Sequence, residues 1–248
     1  MIDVHVPHAT HTWKDFWIHL GTIAAGLLIA ISLEQSVEAL HRLHERHQLQ
    51  EDLRAEGERD HAVVEGDLRT LAVERVWLLG LRDEVDRMRA SGGKLKLPYP
   101  AKPVVDPDSN QPLPVMTSPS DAVWSTAKAS SSVALLPRAQ AEVYARLAWQ
   151  HEVLVSTVFD WLRLGGELAS FEEQFDDAEP ASTPDLSRMT PAELDQYRAL
   201  ITRNLAIRDA VANRLKIFDA EARAILGGAA SEDDLVRMMT TGKFEFEK

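Results

Sequence analysis

Hydrophobic and polar positions follow a helical period along most of the chain, and one stretch departs from it by dropping charge altogether. From Phe16 to Leu33 the sequence reads FWIHLGTIAAGLLIAISL, eighteen residues with no formal charge at neutral pH. At ~1.5 Å rise per residue the run spans roughly 27 Å as a helix, close to the ~30 Å hydrocarbon core of a bilayer. It predicts a transmembrane anchor over 16–33, preceded by an N-terminal tail over 1–15. Trp13 and Trp17 stand at its start, where amphipathic rings favour the headgroup region, and Glu34 closes it.

Beyond the anchor the apolar spacing returns to three, four and seven. Val37, Leu40, Leu43, Leu53, Leu68, Leu71, Leu78, Leu81, Val85 and Met88 form a discontinuous stripe over 34–90. This predicts a long amphipathic helix, continuous with the anchor and stopped by Ser91-Gly92-Gly93. Residues 91–119 form a Gly/Pro-rich connector, with seven prolines between Pro98 and Pro119. Ser118-Pro119-Ser120-Asp121 carries a helix-start pattern, with Ser at the N-cap and Pro first, and opens a short helix to about Ser130. A long helix follows Pro137 with Val143, Leu147, Leu154, Val158, Trp161, Leu168 and Phe175 on one side, and Gly165-Gly166 is a place for a kink. After a loop over Asp176–Met189, Thr190-Pro191-Ala192-Glu193 reads as a capping box. The helix it opens carries Leu194, Tyr197, Ile201, Leu205, Val211, Leu215, Phe218 and Ile225 and stops at Gly227-Gly228; Ser231 starts a last short one. The expected fold is all-α: a transmembrane helix, then an elongated antiparallel helical bundle in which 120–248 packs with 34–90.

Two other readings fit the apolar run. A core helix of a soluble protein is one, since ~18 residues is the lower edge for spanning. A cleaved signal peptide is the other, with small residues at Ala30-Ile31-Ser32; against it stand a single basic residue, Lys14, and the helix-forming sequence after Ser32. Small residues recur at fourfold spacing, Gly21 with Ala25, Thr22 with Gly26 and Gly26 with Ala30, a face that lets helix backbones approach closely in lipid and offers a route to self-association. Orientation is set weakly: a basic count slightly favours a cytoplasmic C-terminal region, but long domains translocate largely regardless of charge. The expectation adopted is a cytoplasmic tail and a periplasmic body.

Composition narrows the function classes. The chain carries 27 Lys and Arg against 39 Asp and Glu, a net charge of −12, which argues against nucleic acid as a partner because phosphate binding needs a basic face. It has no cysteine, so no disulfide framework exists. The histidines supply the only clusters. His5, His8 and His11 precede the anchor; His41, His44 and His47 follow it at intervals of three, with Glu51 near, and are the metal-ligand candidates. All three cannot converge equally, since steps of three drift around a 3.6-residue helix, and interfacial imidazoles beside Arg and Glu explain them without a metal. His19 lies one turn inside the run with no second intramembrane ionisable group to take a proton. Glu172-Glu173 with Asp176-Asp177 reads as a solvated acidic run. Trp124, Trp149 and Trp161 read as core or groove fillers rather than a ligand cage. No P-loop, dinucleotide fingerprint, nucleophile elbow or zincin motif is present, and neither His151 nor Ser130-Ser131-Ser132 completes a hydrolase triad. No cofactor and no enzymatic activity are expected.

The stretch WKDFWIHLGTIAAGLLIAISLEQSVEALHRLHER resembles the opening of a group of bacterial inner-membrane proteins of unknown function. An aromatic-rich lead-in, HLxTI, an apolar anchor ending in LEQ and a His/Arg-rich helix carry the likeness. SPSDAVWSTAKASSSVALLP is similar to an internal segment of that group. The resemblance covers the first fifth of the chain plus this block. It implies a single-pass inner-membrane protein with a helical domain, and it carries over no catalytic or binding residue. The leading expectation is a membrane-tethered scaffold that binds another protein or itself. A ligand-sensing bundle, lacking an output domain, and a His-cluster metal protein are the alternatives.

Overall fold

Long runs of Leu, Ala, Glu and Arg with few β-branched interruptions favour helix, and helix is what the chain forms. The computed structural model describes residues 13–92, 103, 105–107, 110, 112–113, 115–175 and 184–241. Five α-helices occur among them: α1 (Trp13–Ala90), α2 (Ala122–Ala129), α3 (Arg138–Glu172), α4 (Pro191–Leu226) and α5 (Glu232–Thr241). The 3₁₀ turns Ser132–Leu135, Glu173–Phe175 and Leu186–Arg188 punctuate them. The chain divides into two units, Met1–Gln50 and Glu51–Lys248.

In the first unit the described residues are all helical. Every residue from Phe16 to Leu33 is exposed. The few hydroxyls in and beside the run bond back to their own helix: Thr22 Oγ1 donates to the Ile18 carbonyl at 2.9 Å and Ser32 Oγ to Leu28 at 2.7 Å. The expected core stripe does not begin here. Val37, Leu40 and Leu43 are exposed, and the first buried apolar residues of α1 are Leu49 and Leu53.

In the second unit, α1 from Glu51 onward packs with α3 and α4 around two apolar clusters. One joins Leu78, Leu81, Val85 and Met88 to Leu168, Phe171, Tyr197 and Ile201. The other joins Val64 and Leu71 to Leu154, Val211, Leu215 and Phe218. Val143, Ala224, Ala229 and Leu235 make a third, which seats α5. Full burial of each large aliphatic side chain stabilises by ~1.5–3 kcal/mol.

Helix directions follow from the cross-helix pairs. His61, Glu74 and Asp86 of α1 meet Asp219, Arg208 and Arg198 of α4, so these helices are antiparallel. Arg146, the Leu164 carbonyl and Glu172 of α3 meet Glu221, Asn204 and Tyr197, again antiparallel. It follows that α1 and α3 are parallel to each other. The connector makes this geometry, because residues 117, 120 and 123 bond in turn to Asp67, Asp60 and Glu56 and so return the chain along α1.

The punctuation is largely as the local signals predict. At Thr190 both halves of the capping box form: Glu193 N donates to Thr190 Oγ1 at 3.3 Å, and Thr190 N to Glu193 Oε2 at 2.7 Å. After Leu226, Gly228 takes φ +97°, and the amides of Gly228 and Ala229 reach back to the Ile225 and Ala224 carbonyls. This paired closure needs a residue that tolerates the left-handed region. Gly165-Gly166 does not interrupt α3, which is one α-helix from Arg138 to Glu172. The start of α2 differs more. Ser118-Pro119-Ser120 is not helical, and the helix begins at Ala122 with Asp121 at the N-cap making no side-chain capping bond. Its first-turn amide at Val123 is capped instead by Glu56 of α1, at 3.1 Å.

Candidate functional site

Two features stand out: an apolar surface in the first unit and a polar row buried in the second. The apolar surface comprises Trp13, Trp17 and the run after them. Trp13, Phe16 and Trp17 form an aromatic cluster at its start, with ring centroids 5.3 to 5.8 Å apart. Gly21, Ala25, Gly26 and Ala30 are exposed, and the space where a Cβ would stand at Gly21 or Gly26 is open. By length and composition this is one helix able to cross a membrane, and none of that window is buried.

The histidines of α1 stay apart. His41 Nε2 lies 3.0 Å from Glu45 Oε1, and His41, His44 and His47 are all exposed. Among the described residues no group of three or more His, Asp or Glu side chains gathers as metal ligands would. His5, His8, His11 and the pair Asp176-Asp177 lie outside the described residues.

The buried polar row was not legible in the sequence. Glu56, Asp60 and Asp67 sit at spacings of four and seven on α1, which places them on one face. All three are buried. Each accepts from residues 117–123, where the connector gives way to α2. Asp67 Oδ1 accepts from Thr117 N at 3.2 Å, and Asp60 Oδ1 from Ser120 N at 2.8 Å. Glu56 Oε1 accepts from Ser120 Oγ at 2.8 Å and from Val123 N. His151 of α3 closes the other side: its Nε2 lies 2.8 Å from the Pro119 carbonyl, and Nδ1 lies 3.8 Å from Asp121 Oδ1. A carbonyl only accepts, so Nε2 carries a proton.

Between Glu56, Asp60, Ser120 and His151 lies a cavity of about 30 Å³, walled also by Trp124, Tyr144 and Phe218. That is room for water and not for a metabolite. Burial pushes the Asp60 carboxyl up to about 6, with Glu56 adding to the rise and the Ser120 amide, His151 and Arg59 opposing it. Burial likewise pushes Asp67 to about 6 against the Thr117 amide. Among the described residues, Asp67 Oδ2 is buried without a hydrogen-bond partner. Tyr144 is pushed up to about 12 by burial.

The chemistry of the row is that of a clasp. Ser120 Oγ donates to Glu56 while His151 bonds a backbone carbonyl, so hydroxyl and imidazole are not paired as nucleophile and base. Ser130 Oγ is likewise turned to the Thr126 carbonyl and to Ser132. Of the three tryptophans, Trp124 is buried and stacked on Tyr144, and Trp161 lies 5.1 Å beneath the Arg208 guanidinium. Trp149 is 55% exposed and fills neither core nor groove. Arg208 pairs with Glu74, and burial lowers it to about 10, still charged at neutral pH.

No family model matches this chain, and neither does any curated protein or solved structure with which it was compared.

Proposed function

We propose that this chain is a non-enzymatic, membrane-tethered helical module: one anchor over 16–33 in a bacterial inner membrane, a cytoplasmic tail and a periplasmic helical body that engages a protein partner or a second copy. The observation that carries the reading is the exposure of the whole charge-free run, from Phe16 to Leu33. Apolar side chains in that number have no favourable place in water: at ~25 cal/mol per Å² they favour lipid strongly. A core helix would have buried them. The open faces at Gly21 and Gly26 support helix pairing within the bilayer.

The test is fractionation together with labelling. The chain has no cysteine, so Val115→Cys, at an exposed connector position, gives a single reporter. The full-length chain is expected in the membrane pellet after alkaline wash, and labelled by a membrane-impermeant maleimide in intact spheroplasts. Recovery in the soluble fraction sinks the tether. A mature mass lacking residues up to Ser32 makes the run a cleaved signal. Labelling only after lysis reverses the orientation.

A further inference from the structure

We propose that the docking of residues 116–124 onto α1 is proton-controlled, tightening as the medium turns acidic and loosening as it turns alkaline. The geometry makes the segment a dependent of carboxyl groups. Within seven residues, four donors on three residues each meet a buried acid of one helix face: Thr117 N on Asp67, Ser120 N on Asp60, and Ser120 Oγ and Val123 N on Glu56. The same segment supplies part of the wall that dries them: Ser120, Asp121 and Trp124 line the cavity beside Glu56 and Asp60, and Thr117 bonds Asp67 while Met116 packs on the cluster of Val64 and Leu71. Lifting it would return those carboxyls to water.

The charged and titratable groups around Asp60 are Glu56 and Arg59 on α1, Asp121 in the segment and His151 on α3. Tyr144 also lines the cavity from α3, and α4 contributes only the Phe218 ring to it. His61, the next residue, is engaged elsewhere, by Asp219 at 2.6 Å. At Asp67, burial and the Thr117 amide account for the shift, and no charged group enters among the described residues.

Docked, both aspartates sit near 6, above the ordinary 3.8, and a carboxyl that regains water on undocking moves back toward its ordinary value. A carboxyl with a raised docked value binds its proton more tightly docked than free. Its support for docking is complete below about 4 and is lost as pH rises through about 6. Two acids shifted alike make the effect larger than either alone. Asp121 Oδ1 lies 3.8 Å from His151 Nδ1, a second tie between the segment and α3 beside the Pro119 carbonyl.

The experiment is hydrogen exchange on the full chain in detergent micelles between pH 5 and 8, with protection corrected for intrinsic rate. Peptides covering 116–124 are read against a control peptide in α4. The expected result is at least about a tenfold gain in protection of 116–124 at pH 5 over pH 8, with the α4 control unchanged. In Asp60→Asn/Asp67→Asn the gain is expected to fall below about threefold, because Asn keeps an acceptor oxygen without the titration. Protection of 116–124 that does not change with pH, or a gain undiminished in the double variant, overturns the proposal. Should the double variant expose its α4 control, Asp60→Asn alone is read the same way and is expected to remove part of the gain.

Discussion

At the scale of single residues, the second unit is governed by where charge is buried. Arg208 and Glu74 pair across α4 and α1, with the Arg208 guanidinium over the Trp161 ring. Removing one partner leaves the other desolvated, so Arg208→Ala is expected to cost ~3 kcal/mol in urea unfolding, and Arg208→Met with Glu74→Leu much less. Asp67 shows the reverse sign. Its folded value of about 6 lies above the ordinary 3.8, so its ionisation opposes folding once pH passes about 6. Asp67→Asn is expected to raise stability at pH 8 by ~1–2 kcal/mol and to leave it unchanged near pH 4, which paired thermal melts would show. Gly228 is the residue-scale case of backbone geometry: at φ +97°, Gly228→Ala is expected to cost ~1 kcal/mol by the same unfolding measurement.

At the scale of elements, the helix boundaries divide into those written locally and one written elsewhere. The capping box at Thr190 and the double-glycine stop at Gly227-Gly228 involve residues within a few positions of each other, and both form as their spacing predicts. Thr190→Ala is therefore expected to destabilise by ~1 kcal/mol in urea unfolding. The start of α2 is the exception. Ser118-Pro119-Ser120-Asp121 has the composition of a helix start, yet Ser120 spends its amide and hydroxyl on Asp60 and Glu56. A carboxylate sixty-odd residues upstream then serves the first turn of α2. Glu56→Gln keeps an acceptor and is expected to leave α2 in place by hydrogen exchange, whereas Glu56→Ala is expected to fray it.

At the scale of the whole molecule, the apolar run and the helical body obey different rules. In the second unit the apolar faces of α1, α3 and α4 find one another; between Phe16 and Leu33 they find nothing. An Arg at the centre of a membrane helix costs ~2.5–3.5 kcal/mol on insertion scales. The pair Ala24→Arg/Leu27→Arg is therefore expected to move the chain out of the alkaline-washed membrane pellet, with the body still folded by circular dichroism.

The all-α class, the apolar run, the ends of α4 and the residues of the main core were legible from spacing alone, because helix period, capping and apolar burial act over a few residues. Val143, Leu154, Leu168, Tyr197, Ile201, Val211 and Phe218 are buried where their spacing puts them. Their partners were not. That α1 and α3 run parallel depends on the connector turning back along α1, and proline content predicts an extended path without a direction. Glu56, Asp60 and Asp67 read as ordinary polar positions of an amphipathic helix, since nothing nearby in sequence marks them as buried. The segments that close over them carry Thr117, Ser120 and His151, fifty to ninety residues away, and burial raises the proton affinity of Asp60 and Asp67 against the hydrogen bonds those segments donate. Local sequence determined which segments are helical and which face is apolar; tertiary packing alone decided which charges lose their water, because desolvation depends on what closes over a group and not on the residues beside it.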